Sequence, residues 1–493
     1  MRNRVALAAF AAFSLLAAGC SSDGNSSSPT LSTDPPTTAA VESTDAPTTD
    51  APTTDEPTTD ASTTEVASTA ATTTEPSGNP DGVDPLPPLA DDVTLPIVFV
   101  HGFAGSAQQY ESQKMRFVAN GYPADRIVVF EHDGAGMDIA GYAAALTAVV
   151  DATVAEFGVD QVYLVGHSRG TLVSQTFLSD PAQAPKVAKY IAIDGAPCPA
   201  DNAVPCLAPN QAGLPGQAHV ETATSKESFA MQYEFLVGEA PEVVDIVPQR
   251  DPIVISGRAV NFPANTGREG VTLDVWPVDA DTGQRTSDAP VGTFLLPADG
   301  SFGPLELDAD QHYEYVLTAP DASRQHHLYL QPYTRSSDFV RLLSNPVDSP
   351  TRVNTNVGDA HSAIIATRMR EWYAVDDPDL DGDQSDILSF STDGGEVVDA
   401  VPDFVGNSTI GIHVHDDAAS PAVSSLAALP YFSEQPFQSG VDVYMPATAD
   451  GTGTIAVTNI PRGDAGRPQT LNVPNWASSS HAINVVFTDY PVD

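Results

Sequence analysis

The pentapeptide Gly166-His167-Ser168-Arg169-Gly170 is the place where this sequence could do chemistry. A serine hydroxyl attacks a carbonyl only when a neighbouring base takes its proton. The five residues follow a short apolar run, Gln161 to Val165, and open an amphipathic one, Thr171 to Ser179. Strand, sharp turn and helix in that order make a nucleophile elbow. Glycines on both sides let the backbone turn without a side-chain clash. Ser168 then stands at a helix N-terminus, where unpaired N–H groups face the reacting carbonyl.

A nucleophile needs an oxyanion hole, an acid and a base. His101-Gly102-Phe103-Ala104-Gly105-Ser106 follows the apolar run Leu95 to Val100. Such a turn after an early strand supplies one oxyanion amide, assigned to Phe103, and the residue after the nucleophile, Arg169, supplies the other. Asp194 closes the run Ile191-Ala192-Ile193, and His219 lies in Gly216-Gln217-Ala218-His219-Val220. The chain order Ser168, Asp194, His219 is the α/β-hydrolase order. His219 is the candidate base, with its other ring nitrogen held by Asp194. Asp180, Asp201 and Glu221 compete as the acid, and His132 and His361 as the base. His167 is expected to point away from the relay.

The elements that must position these groups alternate. Strands are expected at Leu95–Val100, Arg126–Phe130, Gln161–Val165 and Val187–Ile193, with helices over Ser106–Ala119 and Ile139–Phe157. Alternation of this kind gives a mostly parallel sheet flanked by helices, an α/β fold with its working groups at the carboxyl ends of the strands. From about Val247 the pattern changes to short strand-like runs, Ile253–Ser256, Val271–Trp276, Thr293–Leu296, Tyr313–Thr318 and Ile483–Phe487, broken by Gly, Pro, Asp and Asn. That pattern predicts a β-rich sandwich or barrel.

Arg2 and Arg4 precede an apolar stretch, Val5 to Ala18, and Leu16-Ala17-Ala18-Gly19-Cys20 resembles a bacterial lipobox. Residues 1–20 therefore read as a lipoprotein signal peptide, with Cys20 the lipidated residue and the bilayer a partner through that anchor. Residues 21–90 repeat Thr, Asp, Ala and Pro and read as a disordered tether. Expected domains are 91–246 for the α/β part and 247–493 for the β-rich part, divided near 374. With 65 acidic against 21 basic residues and a net charge of −44, the surface repels nucleic acid. Of three cysteines, Cys20 goes to the anchor, leaving Cys198 and Cys206 for a short-loop disulfide in an exported chain.

Several stretches resemble the archaeal long-chain lipase family with a C-terminal β domain. They are Phe99 to Ser106, Glu111 to Phe117, the Ser168 elbow, Asp194-Gly195, Ser228 to Phe235, Asp245 to Pro248, Gly440 to Ala447 and His481-Ala482-Ile483. The resemblance implies a cofactor-free carboxylester hydrolase with Ser168 as nucleophile, Asp194 as acid and His219 as base. It implies oxyanion amides at Phe103 and Arg169, and a β-rich region that helps bind a lipid ester. Arg169 stands where Leu is common, which puts a charge near the mouth. The segment from Asp194 to His219 is short and Pro-rich, which argues against a large amphipathic lid.

Alternatives are a hydrolase of polymeric or sterol esters, and a non-catalytic surface-binding lipoprotein on the same fold. Asp377, Asp379, Asp381 and Asp383 resemble half of a calcium loop, but position twelve is Leu388, so a solvated acidic turn is expected. His413 and His415 alternate on one strand face, expected to be exposed.

Overall fold

The computed structural model describes residues 78–491 except 201–203, 213, 215–216, 322–323, 347–348, 374–384, 393–394, 396–397, 400–408 and 465. The leader at 1–20 with Cys20, the tether up to 77, Asp201, the Asp377 to Asp383 turn and the division near 374 lie outside the described residues.

The α/β part runs β1 (Ile97–Val100), α1 (Glu111–Ala119), β2 (Ile127–Phe130), α2 (Ile139–Phe157), β3 (Val162–His167), α3 (Arg169–Leu178), β4 (Val187–Ile193), β5 (Cys206–Leu207), α4 (Pro209–Ala212), α5 (Glu221–Thr224) and α6 (Lys226–Val237). Its strands are parallel in the order β2-β1-β3-β4-β5. Continuous apolar sequence makes β1 and β3 buried along their whole length, as central parallel strands must be. Phe99, Val165 and Ile191 fill one side of the sheet with Tyr110 and Phe229. Val98, Leu164 and Ala192 fill the other with Leu146 and Phe177. Asp138 caps α2 by accepting from Gly141 N, and Gly158 ends it at φ 64°. Cys198 and Cys206 form a disulfide.

The tether reading to residue 90 needs correction. Val83 N donates to Pro248 O at 2.8 Å, Leu89 N to Gly121 O at 3.1 Å, and Arg250 pairs with Asp84 at 2.7 Å. Two backbone N–H groups and one acid dock the stretch, and backbone bonds leave no mark on composition.

The β-rich part runs β6 (Ile253–Asn261), β7 (Thr266–Gly267), β8 (Thr272–Pro277), β9 (Gly292–Leu295), β10 (Ser301–Leu307), β11 (Tyr313–Thr318), β12 (Gln325–Leu330) and β13 (Ser337–Ser344). It continues with α7 (Pro350–Val353), β14 (Ile364–Trp372), β15 (Ile387–Thr392), β16 (Val398–Asp399), β17 (Thr409–His415), α8 (Pro430–Ser433), β18 (Gln438–Asp442), β19 (Thr454–Ile460), β20 (Gln469–Pro474) and β21 (His481–Val486). An eight-stranded sheet, β18-β17-β14-β21-β12-β11-β8-β9, faces two four-stranded ones, β10-β6-β13 with β7 paired to β6, and β16-β15-β19-β20. Leu273, Tyr315 and Leu328 pack with Ile255, Val340 and Leu342 in one core. Ile364, Ile412 and Val485 pack with Phe390, Val457 and Val473 in the other. β14 and β21, on either side of position 374, pair directly. His413 and His415 are buried rather than exposed. The ring of His413 stacks on Phe432 at 4.0 Å, and its Nε2 bonds Gln438 Oε1 at 3.0 Å.

One ion cluster ties the two parts together. Glu131, just after β2, receives Arg341 of β13 at 2.8 Å and Arg258 of β6 at 2.7 Å, with Glu131 and Arg341 both buried. Burial opposes the Glu131 charge. The hydrogen bond and charge of Arg341, the Ala107 amide and Arg258 outweigh it and hold the carboxyl at about 2. A lowered folded value means that this stability is complete above the ordinary carboxyl value and is lost as pH falls through about 2. Glu131→Gln is expected to cost about 3–5 kcal/mol at neutral pH by stranding Arg341, a penalty that shrinks in acid. Urea midpoints at neutral pH and near pH 3 check this, and equal midpoints for variant and wild type at neutral pH contradict it.

Candidate active site

The elbow is built from backbone contacts. β3 lies between β1 and β4, and Ser168 N donates across to Ile193 O at 2.9 Å. Ser168 adopts φ 53°, ψ −124°, a conformation that L-residues rarely hold. α3 starts at the next residue, hard against β1: a Cβ at Gly170 would lie 2.1 Å from Val100 O. Only glycine fits there, which is the physical content of the second glycine in the motif.

The loop after β1 meets the elbow from the other side. A Cβ at Gly102 would lie 2.8 Å from Ser168 Cβ. The Gly102 carbonyl accepts from His101 Nδ1 at 2.9 Å and from Arg169 Nη2 at 3.3 Å. In a trans peptide the following N–H points opposite to the carbonyl, so these two donors also aim the Phe103 N–H. Burial lowers His101 to about 4, which leaves it neutral, and its Nε2 accepts the His132 N–H at 3.1 Å. The Arg169 side chain turns inward rather than charging the mouth. It donates to Asp133 O at 2.8 Å and to Gly136 O, and lies over the Phe103 and Tyr142 rings at 5.4 and 5.5 Å.

Asp194 follows β4 at φ 36° and accepts from His219 Nδ1 at 2.6 Å. Its other oxygen accepts from Asn210 Nδ2 at 3.1 Å. Burial would raise this carboxyl, but the hydrogen bond and charge of His219, His167 and Asn210 hold it below its ordinary value. The structure therefore brings Asp194 and His219 together beside the elbow. Among the described residues, no hydrogen bond joins Ser168 Oγ to His219. Such bonds are often long without substrate.

His167 stands beneath His219, not away from it. The His219 carbonyl can only accept, so His167 Nε2 carries the proton and donates at 2.9 Å. Its Nδ1 then accepts from Gln109 Nε2. Burial first and His219 second lower His167 to about 3, so the ring stays neutral and its hydrogen-bond direction fixed.

The β-rich part reaches the same loop. The buried Glu371 carboxylate of β14 accepts the N–H groups of Val220 and, at 3.0 Å, Glu221. Thr224 Oγ1 donates to Met369 O at 3.0 Å. Glu221 is held by Arg370 at 2.9 Å and Arg462 at 2.8 Å, so this rival acid is occupied elsewhere. The Phe437 ring stacks on His219 at 5.9 Å and 16°. Of the other rivals, Asp180 is exposed in the turn after α3, accepting from Ala182 N. His361 bridges to Pro446 in the β-rich part. His132 packs against His101 and Tyr142. Gln109, Asn210, Glu371 and Phe437 were not foreseen: the last two follow the elbow by some two hundred residues, with no local pattern to mark them.

Between Asp194 and His219 the described residues hold only the two-residue β5 and the four-residue α4. No group of three metal-ligating side chains occurs among the described residues. Glu371→Gln would turn an amine toward one of the two N–H groups it now binds. Amide hydrogen exchange at Val220 and Glu221 should then quicken about ten- to a hundredfold, for a buried charged hydrogen bond of about 1.5–3 kcal/mol. Unchanged exchange at both amides contradicts the clamp.

An "alpha/beta hydrolase fold" family model matches residues 96–216 and a "Lipase C-terminal domain" model residues 251–347, with a further C-terminal domain model at 351–491. No curated protein matches the chain. Solved structures include an epoxide hydrolase from Vigna radiata at 23% identity, covering 21% of this chain and 33% of that one, with a TM-score of 0.18. An extracellular α/β-hydrolase from a Paenibacillus species is 22% identical, covering 21% and 42%, with a TM-score of 0.17. The chain thus spans less than half the length of these structures. Residues 96–491 fit an α/β-hydrolase lipase with a C-terminal domain.

Proposed function

We propose that this chain is a serine carboxylester hydrolase, a lipase or esterase that cleaves acyl esters such as triacylglycerols through an acyl-enzyme. The observation that carries this reading is the 2.6 Å bond from His219 Nδ1 to Asp194, set beside a serine at positive φ on the elbow. In this mechanism Ser168 Oγ attacks the ester carbonyl while His219 Nε2 takes its proton. The oxyanion is held by the N–H groups of Phe103 and Arg169, the first aimed by the pinned Gly102 carbonyl. His219 returns the proton to the departing alcohol. Water, deprotonated by His219, then attacks the acyl-enzyme, and Ser168 recovers its proton as the acid leaves. Asp194 fixes the imidazole and faces the charge that forms on it.

The lipase C-terminal domain supports a lipid ester as substrate. The lipobox-like Leu16 to Cys20 supports export and a lipid anchor at the cell surface or envelope. Without a long helix between acid and base, a soluble short-chain ester is expected to be hydrolysed below the concentration at which it forms droplets.

Ser168→Ala is expected to lower kcat on a chromogenic butyrate ester by about a millionfold and to abolish labelling by a fluorophosphonate probe. Near-wild-type turnover by the purified variant would falsify the assignment. A panel from acetate to oleate, with emulsified triglyceride and insoluble polyester, separates the lipid reading from the polymer one.

A further inference from the structure

A second site lies in the β-rich part. On one face of the eight-stranded sheet a small cleft opens beside the α7 segment. Arg324, His326, Arg352, His413 and His415 line it, and among the described residues no acidic one does. In a chain with 65 acidic and 21 basic residues, that is an unexpected lining.

Arg324 is only 8% exposed, and its Nε has no hydrogen-bond partner. Among the described residues no carboxylate pairs with Arg324, with Arg352 or with the neighbouring Arg268. Asp321 acts on Arg268 and Arg352 only from a distance. Two other buried arginines have carboxylates, Arg341 with Glu131 and Arg368 with Asp386, and buried Arg116 and Arg335 donate to backbone carbonyls instead. A buried guanidinium without a counter-charge is costly unless a ligand supplies one.

His415 adds a complementary feature. It is 3% exposed, and its Nδ1 bonds the Asp416 carbonyl at 3.2 Å. That carbonyl can only accept, so the proton is on Nδ1 and Nε2 is an acceptor. Nε2 is buried and has no partner. The lining thus offers fixed positive charge, several N–H donors and one acceptor that needs an O–H.

We propose that this cleft binds a hydrogenphosphate group, free or as the singly protonated form of a phosphate monoester, with its anionic oxygens on Arg324 and Arg352 and its hydroxyl toward His415 Nε2. A bare dianion without a hydroxyl, such as sulfate, satisfies the arginines but not the imidazole.

The test is calorimetric titration of the full chain with inorganic phosphate, glycerol phosphate and sulfate at matched ionic strength, chloride serving as the blank. Saturable binding of phosphate, tighter than sulfate and weakened about tenfold or more in Arg324→Gln, is the expected result, since charge-assisted hydrogen bonds are lost. Glycerol phosphate binding as tightly as inorganic phosphate assigns a monoester, and its exclusion assigns the free ion. Heats no larger than chloride, sulfate as tight as phosphate, or undiminished binding by Arg324→Gln overturn the proposal. Removing a buried unpaired cation should leave the Tm of ligand-free Arg324→Gln at or above wild type. If that variant does not fold, Arg352→Gln at the cleft edge carries the same titration, with the same outcomes.

Discussion

The backbone of Ser168 is held where a serine would not rest by itself, and the rest of the site depends on that constraint. Residues in such regions cost about 1–3 kcal/mol and persist only where their surroundings over-determine them. Here the surroundings are β1, β3 and β4, buried against both layers of helices, and the contact that forces glycine at position 170. Because β3 cannot shift, the serine is delivered to one point. The Gly102 turn abuts the same point and is aimed by His101 and Arg169. In the sequence the charge at position 169 reads as a feature of the mouth. In the fold it is a strut beneath the Gly102 turn.

The histidine side is held differently. Its loop carries little regular structure, and its fixed points come from neighbours: Asp194 and Asn210 on the ring, His167 on the carbonyl, Glu371 on the next two amides. Two of these neighbours are buried groups whose charge state sets the direction of the bond. Neutral His167 must donate, whereas the Glu371 carboxyl accepts two N–H groups despite burial that works against its charge. The scarce cations of the chain follow the same logic. Arg341 and Arg258 meet Glu131, while Arg370 and Arg462 meet Glu221, at seams between the α/β and β-rich parts. At these two seams the partners are largely buried, which strengthens the attraction between them.

What was legible in the sequence was what is local. The apolar runs of β1, β3 and β4 and the periodic α2 stand close to their expected bounds, since one- and two-layer burial leaves a direct imprint on residue order. The elbow was legible for the same reason: its glycines answer contacts made within a few residues or by an adjacent strand. Asp194 and His219 could be named only with rivals, and geometry shows where the described ones, Asp180, Glu221, His132 and His361, are engaged. Glu371 and Phe437 left no imprint, because a carboxylate accepting two amides and a ring lying on another need no spacing along the chain. His413 and His415 misled for a related reason. Alternation marks a strand face but cannot say whether another element, here α8 with Phe432, covers it.

These contacts also bear on how a substrate reaches the serine. A lid inserted between acid and base would have to swing from the segment that carries β5 and α4. That segment is closed on itself by the Cys198–Cys206 disulfide, paired to β4 through β5, and tied to the Asp194 carboxylate through Asn210. Moving it would loosen the Asp194 carboxylate that holds the His219 ring. Phe437 is free of this conflict. It covers His219 from the β-rich part, and among the described residues it shares no bond with Asp194 or with the elbow. The wall of the site that can vary without disturbing the relay is therefore the one contributed by the C-terminal region.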